Sequence, residues 1–235
     1  MILSVTGLNL FYGDAQALDE VSLEVAAGDI VAVVGSNGAG KSSLIRTIAG
    51  IEKPRSGQVV YKGVDIAGWP SHRICNLGIG QVAEGRQIFA GLTVHENLEV
   101  GAYLQRGRHK RAETMERVFE MFPILRKRAD QLAGTLSGGE QQMLAISRCL
   151  LGQPELIMFD EPSLGLAPTI VQEVFGIIKH LNEDGMPIIL VEQNVAISLR
   201  MANRAYVLEN GRIVLTGSGD DLLRDDRVRE AYLGL

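Results

Sequence analysis

Two hydrophobic patterns share this chain. Residues 4–10 and 18–25 alternate apolar and polar positions, the period of a strand with one face in a core, and residues 57–63 carry a third such strand. Together they predict a small antiparallel sheet. Elsewhere the runs are mostly apolar and do not alternate: 29–34, 79–83, 156–159 and 187–191. Short runs of this kind predict strands buried on both faces, as in a parallel sheet covered by helices.

Helical spacing fills the intervals. Residues 43–49 predict a helix ending at Gly50, and Thr93 with Glu96 forms a capping box opening a helix toward Tyr103. Ala112, Met115, Val118, Phe119 and Phe122 recur at helical spacing until Pro123 interrupts them. Further helices are expected over 137–151, 169–181 (stopped by Gly185), 195–201 and 220–232. Asn210-Gly211 between two apolar runs marks a tight hairpin. The expectation is one α/β domain. Its core comprises residues 1–85 and 153–235, with the antiparallel β-subdomain at the N-terminal end, and a helical lobe is inserted over 86–152.

The join between the 29–34 run and the helix after it carries the chemistry. Gly35, Ser36, Asn37, Gly38, Ala39, Gly40, Lys41 and Ser42, followed by Ser43, fit the phosphate-binding pattern G-x-x-x-x-G-K-[ST] in the strand–loop–helix setting it needs. Average composition yields this pattern by chance in roughly one chain in a hundred of this length. Glycines let backbone N–H groups close around phosphate oxygens, and the helix N-terminus adds partial positive charge. Lys41 is then the group for the β- and γ-phosphates, and the Ser42 hydroxyl a ligand for Mg²⁺.

A second motif, Asp160-Glu161, follows the apolar run 156–159. A buried strand delivers both carboxylates to its C-terminal end, where open parallel sheets bind ligands. Asp160 is the candidate for Mg²⁺ and Glu161 for the base that deprotonates an attacking water. A third motif, Leu136-Ser137-Gly138-Gly139-Glu140-Gln141-Gln142, reads locally as a capping box. The same geometry offers N–H groups and a hydroxyl to a phosphate, on a lobe that need not reach its own nucleotide.

In chain order (35–42, 136–141, 156–161) the three motifs resemble the ATP-binding-cassette (ABC) ATPases, P-loop NTPases with a RecA-like core, and the resemblance spans nearly the whole chain. It implies that ATP is sandwiched between two subunits, with Ser137, Gly138, Gly139 and Glu140 closing over a partner's nucleotide. It also implies that Tyr12 stacks on adenine. The segments 82–86, 160–168, 190–194, 206–211 and 231–234 resemble one subfamily, the LivF-type ATPases of high-affinity branched-chain amino acid importers. That subfamily implies a paralogous ATPase partner, two membrane permeases, an extracytoplasmic solute-binding protein and a place on the inner face of the cytoplasmic membrane. A homodimer of the isolated chain is the alternative to the heterodimer. Urea, short-chain amide and lipopolysaccharide systems use similar subunits, and non-transport cassettes form a further class.

Against the general cassette pattern three positions differ. Glu84 stands where the lobe-linking loop usually has Gln, with Gln81 near enough to leave a shifted loop open. Ala167 replaces an Asp, and Gln193 holds the position of a His. Gln can hydrogen-bond a phosphate or water but carries no positive charge. The resemblance still implies that Glu84 and Gln193 face the reacting phosphate.

Composition adds limits. No apolar run approaches the roughly 20 residues that cross a bilayer, and the first residues lack a secretory-signal pattern. The formal net charge of -5 disfavours a general nucleic-acid binder. Cys75 and Cys149 form no metal or redox spacing.

Overall fold

The computed structural model describes residues 1–233. In chain order its strands are β1 (Leu3–Tyr12), β2 (Ala15–Val25), β3 (Ile30–Val34), β4 (Ser56–Tyr61), β5 (Val64–Asp65), β6 (Ile79–Val82), β7 (Leu156–Asp160), β8 (Ile188–Glu192), β9 (Arg204–Glu209) and β10 (Arg212–Gly217). The helices are α1 (Lys41–Ile48), α2 (Ser71–Leu77), α3 (Val94–Gly101), α4 (Gln105–Arg108), α5 (Arg111–Met121) and α6 (Pro123–Lys127). After them come α7 (Gly138–Leu151), α8 (Pro168–Glu183), α9 (Val195–Met201), α10 (Gly219–Arg224) and α11 (Asp226–Val228).

The two hydrophobic patterns become two sheets. The alternating segments form an antiparallel sheet in the order β2-β1-β4-β5. The mostly apolar runs form β3, β6, β7 and β8 of a six-stranded sheet that β9 and β10 complete, in the order β10-β9-β3-β8-β7-β6, parallel throughout except for the β10 edge. Every residue of β3, β7 and β8 is buried, which is why those strands show no alternation. One core lies between the two sheets around α1, and a second lies where α3, α5, α7 and α8 pack on the far side of β7 and β8. Between β6 and β7 the chain is helical, from α3 to α7.

Most predicted elements are found, and the differences have local causes. Both capping boxes are closed: Thr93 with Glu96 opens α3, and Ser137 with Glu140 opens α7. Pro123 does not merely interrupt a helix but starts α6 in its first turn, where a missing N–H costs nothing. The expected 220–232 helix is broken, because the Asp225 side chain accepts from Arg227 N–H and caps a new start. Helix α2 escaped the pattern because only Ile74 is buried in it. Asn210 and Gly211 both have positive φ (47° and 78°), the conformation of a two-residue hairpin turn.

Ala167 is the N-cap of α8, with extended backbone and no side chain to accept from the first turn. Ala167→Asp should supply that acceptor and stabilise the chain by about 1 kcal/mol. Denaturant unfolding of the two proteins measures the difference; no gain would mean that the first turn is already satisfied.

Candidate functional site

Strand β3 runs directly into the glycine loop, and the loop is held by close approach. A Cβ on Gly35 would overlap the Leu208 carbonyl of β9, and one on Gly40, at φ 106°, would sit 2.7 Å from the Ala17 carbonyl of β2. Glycine is therefore required at both ends of the loop for packing. Gly40 is the N-cap of α1 and offers no side-chain acceptor, so the first N–H groups of α1 remain directed at the loop. Lys41 is buried. Its ammonium donates to the carbonyls of Gly35 (2.9 Å) and Ser36 (3.0 Å) and pairs with Glu161 at 3.1 Å.

Beside it, β7 ends in Asp160, and the Ser42 hydroxyl donates to its Oδ1 at 3.0 Å. Burial pushes the Asp160 carboxyl up to about 6, and the charges of Glu84 and Glu161 add to this, while Ser42 and Lys41 oppose it. The folded state thus holds a proton that the unfolded chain releases near pH 3.8, so stability falls as pH rises from there through about 6. Asp160→Asn should remove that cost. Its stability relative to wild type should be higher at pH 7.5 than at pH 4, read from denaturant unfolding at the two pH values; a difference independent of pH would contradict the carboxyl's raised pKa.

Glu161, one residue on, takes φ 46°, a left-handed conformation uncommon outside glycine. A cavity of about 660 Å³ opens over these groups, lined by Tyr12, Asn37, Gly38, Gly40, Lys41, Ser42, Ser43, Glu84 and Glu161. The Tyr12 ring is 45% exposed at its mouth, with the phenol 3.4 Å from Ser43 Oγ. An adjoining cavity is lined by Ser42, Gln81, Glu84, Gln87 and Asp160, so Gln81 and Glu84 both face the side of the site where Asp160 lies.

A family profile described as "ABC transporter" matches residues 18–164. The chain belongs to the ABC transporter family. The cassette is similar to the high-affinity branched-chain amino acid transport ATP-binding protein BraG of Pseudomonas aeruginosa, 48% identical over 99% of this chain and 100% of that protein. It is also similar to a probable branched-chain amino acid transport ATP-binding protein, LivF, of Archaeoglobus fulgidus (36% identical, 100% of this chain and 99% of that one). Among solved structures it resembles a nucleotide-free ATP-binding cassette from an ABC transporter (TM-score 0.85, 30% identical, 100% and 99% covered). A dimeric cassette in a post-hydrolysis state, bound to ADP and Pi, matches with TM-score 0.82 at 25% identity over 92% of this chain and 98% of that one. Membership makes this chain a nucleotide-binding ATPase coupled to transport.

Several cassette residues lie away from the cavity. Ser137, Gly138, Gly139 and Glu140 open α7 and do not line it. Glu140 is engaged in the capping box and pairs with Arg128 at 3.1 Å, and Gly139 packs against Ile170 of α8. Gln193 is exposed just beyond β8 and lines neither cavity.

Other residues entered the site unannounced. Gln16, Ala17, Leu164, Asn210 and Gly211 line the main cavity. Gly211 N–H donates to the Ala39 carbonyl (2.9 Å) and its own carbonyl accepts from Asp19 N–H (2.8 Å), so the hairpin turn braces the phosphate loop against β2. The turn was legible in the sequence; its place in the site was not.

Proposed function

We propose that this cassette is the ATP-hydrolysing subunit of an importer for leucine, isoleucine and valine. It would work as a dimer with a paralogous cassette, on the inner face of the cytoplasmic membrane. Two permease subunits and an extracytoplasmic solute-binding protein complete the system, and nucleic acid has no part in it. The observation that carries the chemistry is the convergence of Lys41, Glu161 and Ser42 at one cavity, with Asp160 bonded to Ser42 and lining the adjoining one. The solute rests on the full-length likeness to BraG.

In this reading Tyr12 stacks on adenine, and residues 35–43 bind the phosphates. Lys41 exchanges its present acceptors for β- and γ-phosphate oxygens. When the ammonium turns to phosphate, the Glu161 carboxylate is released to accept a proton from water. The exposed Gln193 hydrogen-bonds the reacting phosphate once the dimer closes. The helical lobe of residues 86–152 brings Ser137, Gly138, Gly139 and Glu140 over the partner's nucleotide. That reach is compatible with their distance from this chain's own cavity.

Ser42 and Asp160 suit Mg²⁺, with Glu84 on the same side. Buried next to two further carboxylates, the Asp160 carboxyl is a group that a cation would stabilise in its charged form. Among the described residues no three His, Cys, Asp or Glu side chains form a metal cage. Ser42 and Asp160 would hold a magnesium ion there, and it would supply charge neutralisation on the phosphates.

The test is uptake of labelled leucine, isoleucine, valine and urea in cells lacking this chain, complemented with wild type or Glu161→Gln. Wild type alone should restore branched-chain uptake. Restoration of urea uptake instead, or of none, would reassign the solute. No helix among the described residues is long and apolar enough to cross a membrane.

A further inference from the structure

Glu192 is buried, 1% exposed, at the C-terminal end of β8. No cation pairs with it among the described residues. Its carboxylate is satisfied by backbone N–H groups from two different loops. Oε1 accepts from Ser163 at 2.9 Å, in the loop after β7, and Oε2 accepts from Gln193 at 3.1 Å and Asn194 at 3.3 Å, in the loop after β8. A carboxylate can accept on both oxygens; a carboxamide can do so on one only.

The first of those loops begins with Glu161. Its N–H donates to the Val191 carbonyl of β8 at 2.9 Å. Pro162 has no N–H, and Ser163 donates to Glu192. Every backbone donor of the Glu161-Pro162-Ser163 segment is therefore spent on the end of β8. Between the two ties Glu161 is held at φ 46°. A non-glycine residue keeps such a conformation only where its surroundings over-determine it. The same carboxylate fixes the backbone of Gln193, so one buried side chain sets the two loops relative to each other.

We propose that Glu192 is a positioning residue for ATP hydrolysis, holding Glu161 in its left-handed conformation by tying Ser163 to β8. The proposal rests on Glu161 as the base. Glu192 lines neither cavity, so it acts through Glu161 and not on nucleotide.

Two variants separate the ties. Glu192→Gln keeps the length but sets an NH₂ against an N–H donor. Glu192→Asp can still close the local turn onto Gln193 and Asn194, as aspartate commonly does, but is one methylene too short for Ser163. The assay is MgATP hydrolysis and equilibrium MgATP binding by the full chain, with melting temperature and amide exchange at Ser163 followed in parallel. Both variants should lower kcat by about tenfold or more. MgATP affinity should stay within about twofold of wild type, and Ser163 should exchange faster in Glu192→Asp.

Unchanged kcat in both variants would overturn the proposal. So would kcat and MgATP affinity falling together with the melting temperature, which is the mark of a merely structural carboxylate. Glu161→Gln runs alongside as the control. Wild-type turnover in that variant would remove the base assignment itself, a failure distinguishable from that of the Glu192 tie.

Discussion

Glu161→Gln should leave MgATP bound and lower kcat by at least about a hundredfold. The substitution is isosteric and leaves the φ 46° backbone and its bond to Val191 in place, so the cavity keeps its shape. What is lost is the capacity to take a proton, because a carboxamide oxygen accepts a hydrogen bond but is not a base at neutral pH. The Lys41 ammonium 3.1 Å away loses a charged competitor for phosphate, so affinity should hold or rise. Nucleotide should persist in the closed dimer, which makes this variant the one expected to accumulate it. Phosphate release under single-turnover conditions, with nucleotide binding measured on the same sample, decides the matter. Wild-type turnover would remove Glu161 from the chemistry.

Lys41→Ala should act one step earlier. The ammonium is the buried cation closest to the loop, held by two carbonyls and Glu161. Charge-assisted hydrogen bonds are each worth about 1.5–3 kcal/mol, so its loss should weaken MgATP binding by roughly 10- to 100-fold. The same change strands the Glu161 carboxylate, which is only 9% exposed, without its partner and should destabilise the nucleotide-free chain. Binding must therefore be read at a temperature where unfolding curves show both proteins fully folded. Unaltered affinity there would mean that residues 35–42 do not cradle the phosphates.

Together the two variants separate binding from chemistry. A chain that binds and does not turn over isolates Glu161. A chain that fails to bind isolates the loop. The contrast follows from geometry: Lys41 lies on α1 at the loop's end, whereas Glu161 follows the end of β7, and the two meet at the same cavity.

The three motifs and the family were legible because their chemistry is local. A glycine loop between a strand and a helix, two acids after an apolar run, and a capping box with two glycines are each written within a few consecutive residues. Hydrophobic period likewise determined the sheets: alternation where one face is wet, mostly apolar runs where helices cover both. The interruptions in the last helix were less visible, because they depend on one Asp225 side chain competing for the backbone.

What only the tertiary structure decided are the relations between segments far apart in sequence. The Asn210-Gly211 turn was readable as a hairpin, but its brace against Ala39 and Asp19 requires β9 to lie beside β3, and strand order is not a local property. Glu192 was readable only as a neighbour of Gln193. Its bond to Ser163 exists because β7 and β8 pair in register and end together, which brings two loops of opposite sequence origin within hydrogen-bond reach. Sequence by itself determined the family and the local motifs, since these belong to side chains and short backbone turns written in consecutive residues. The fold determined which of them meet, since the distances between the groups are set by packing across the sheet.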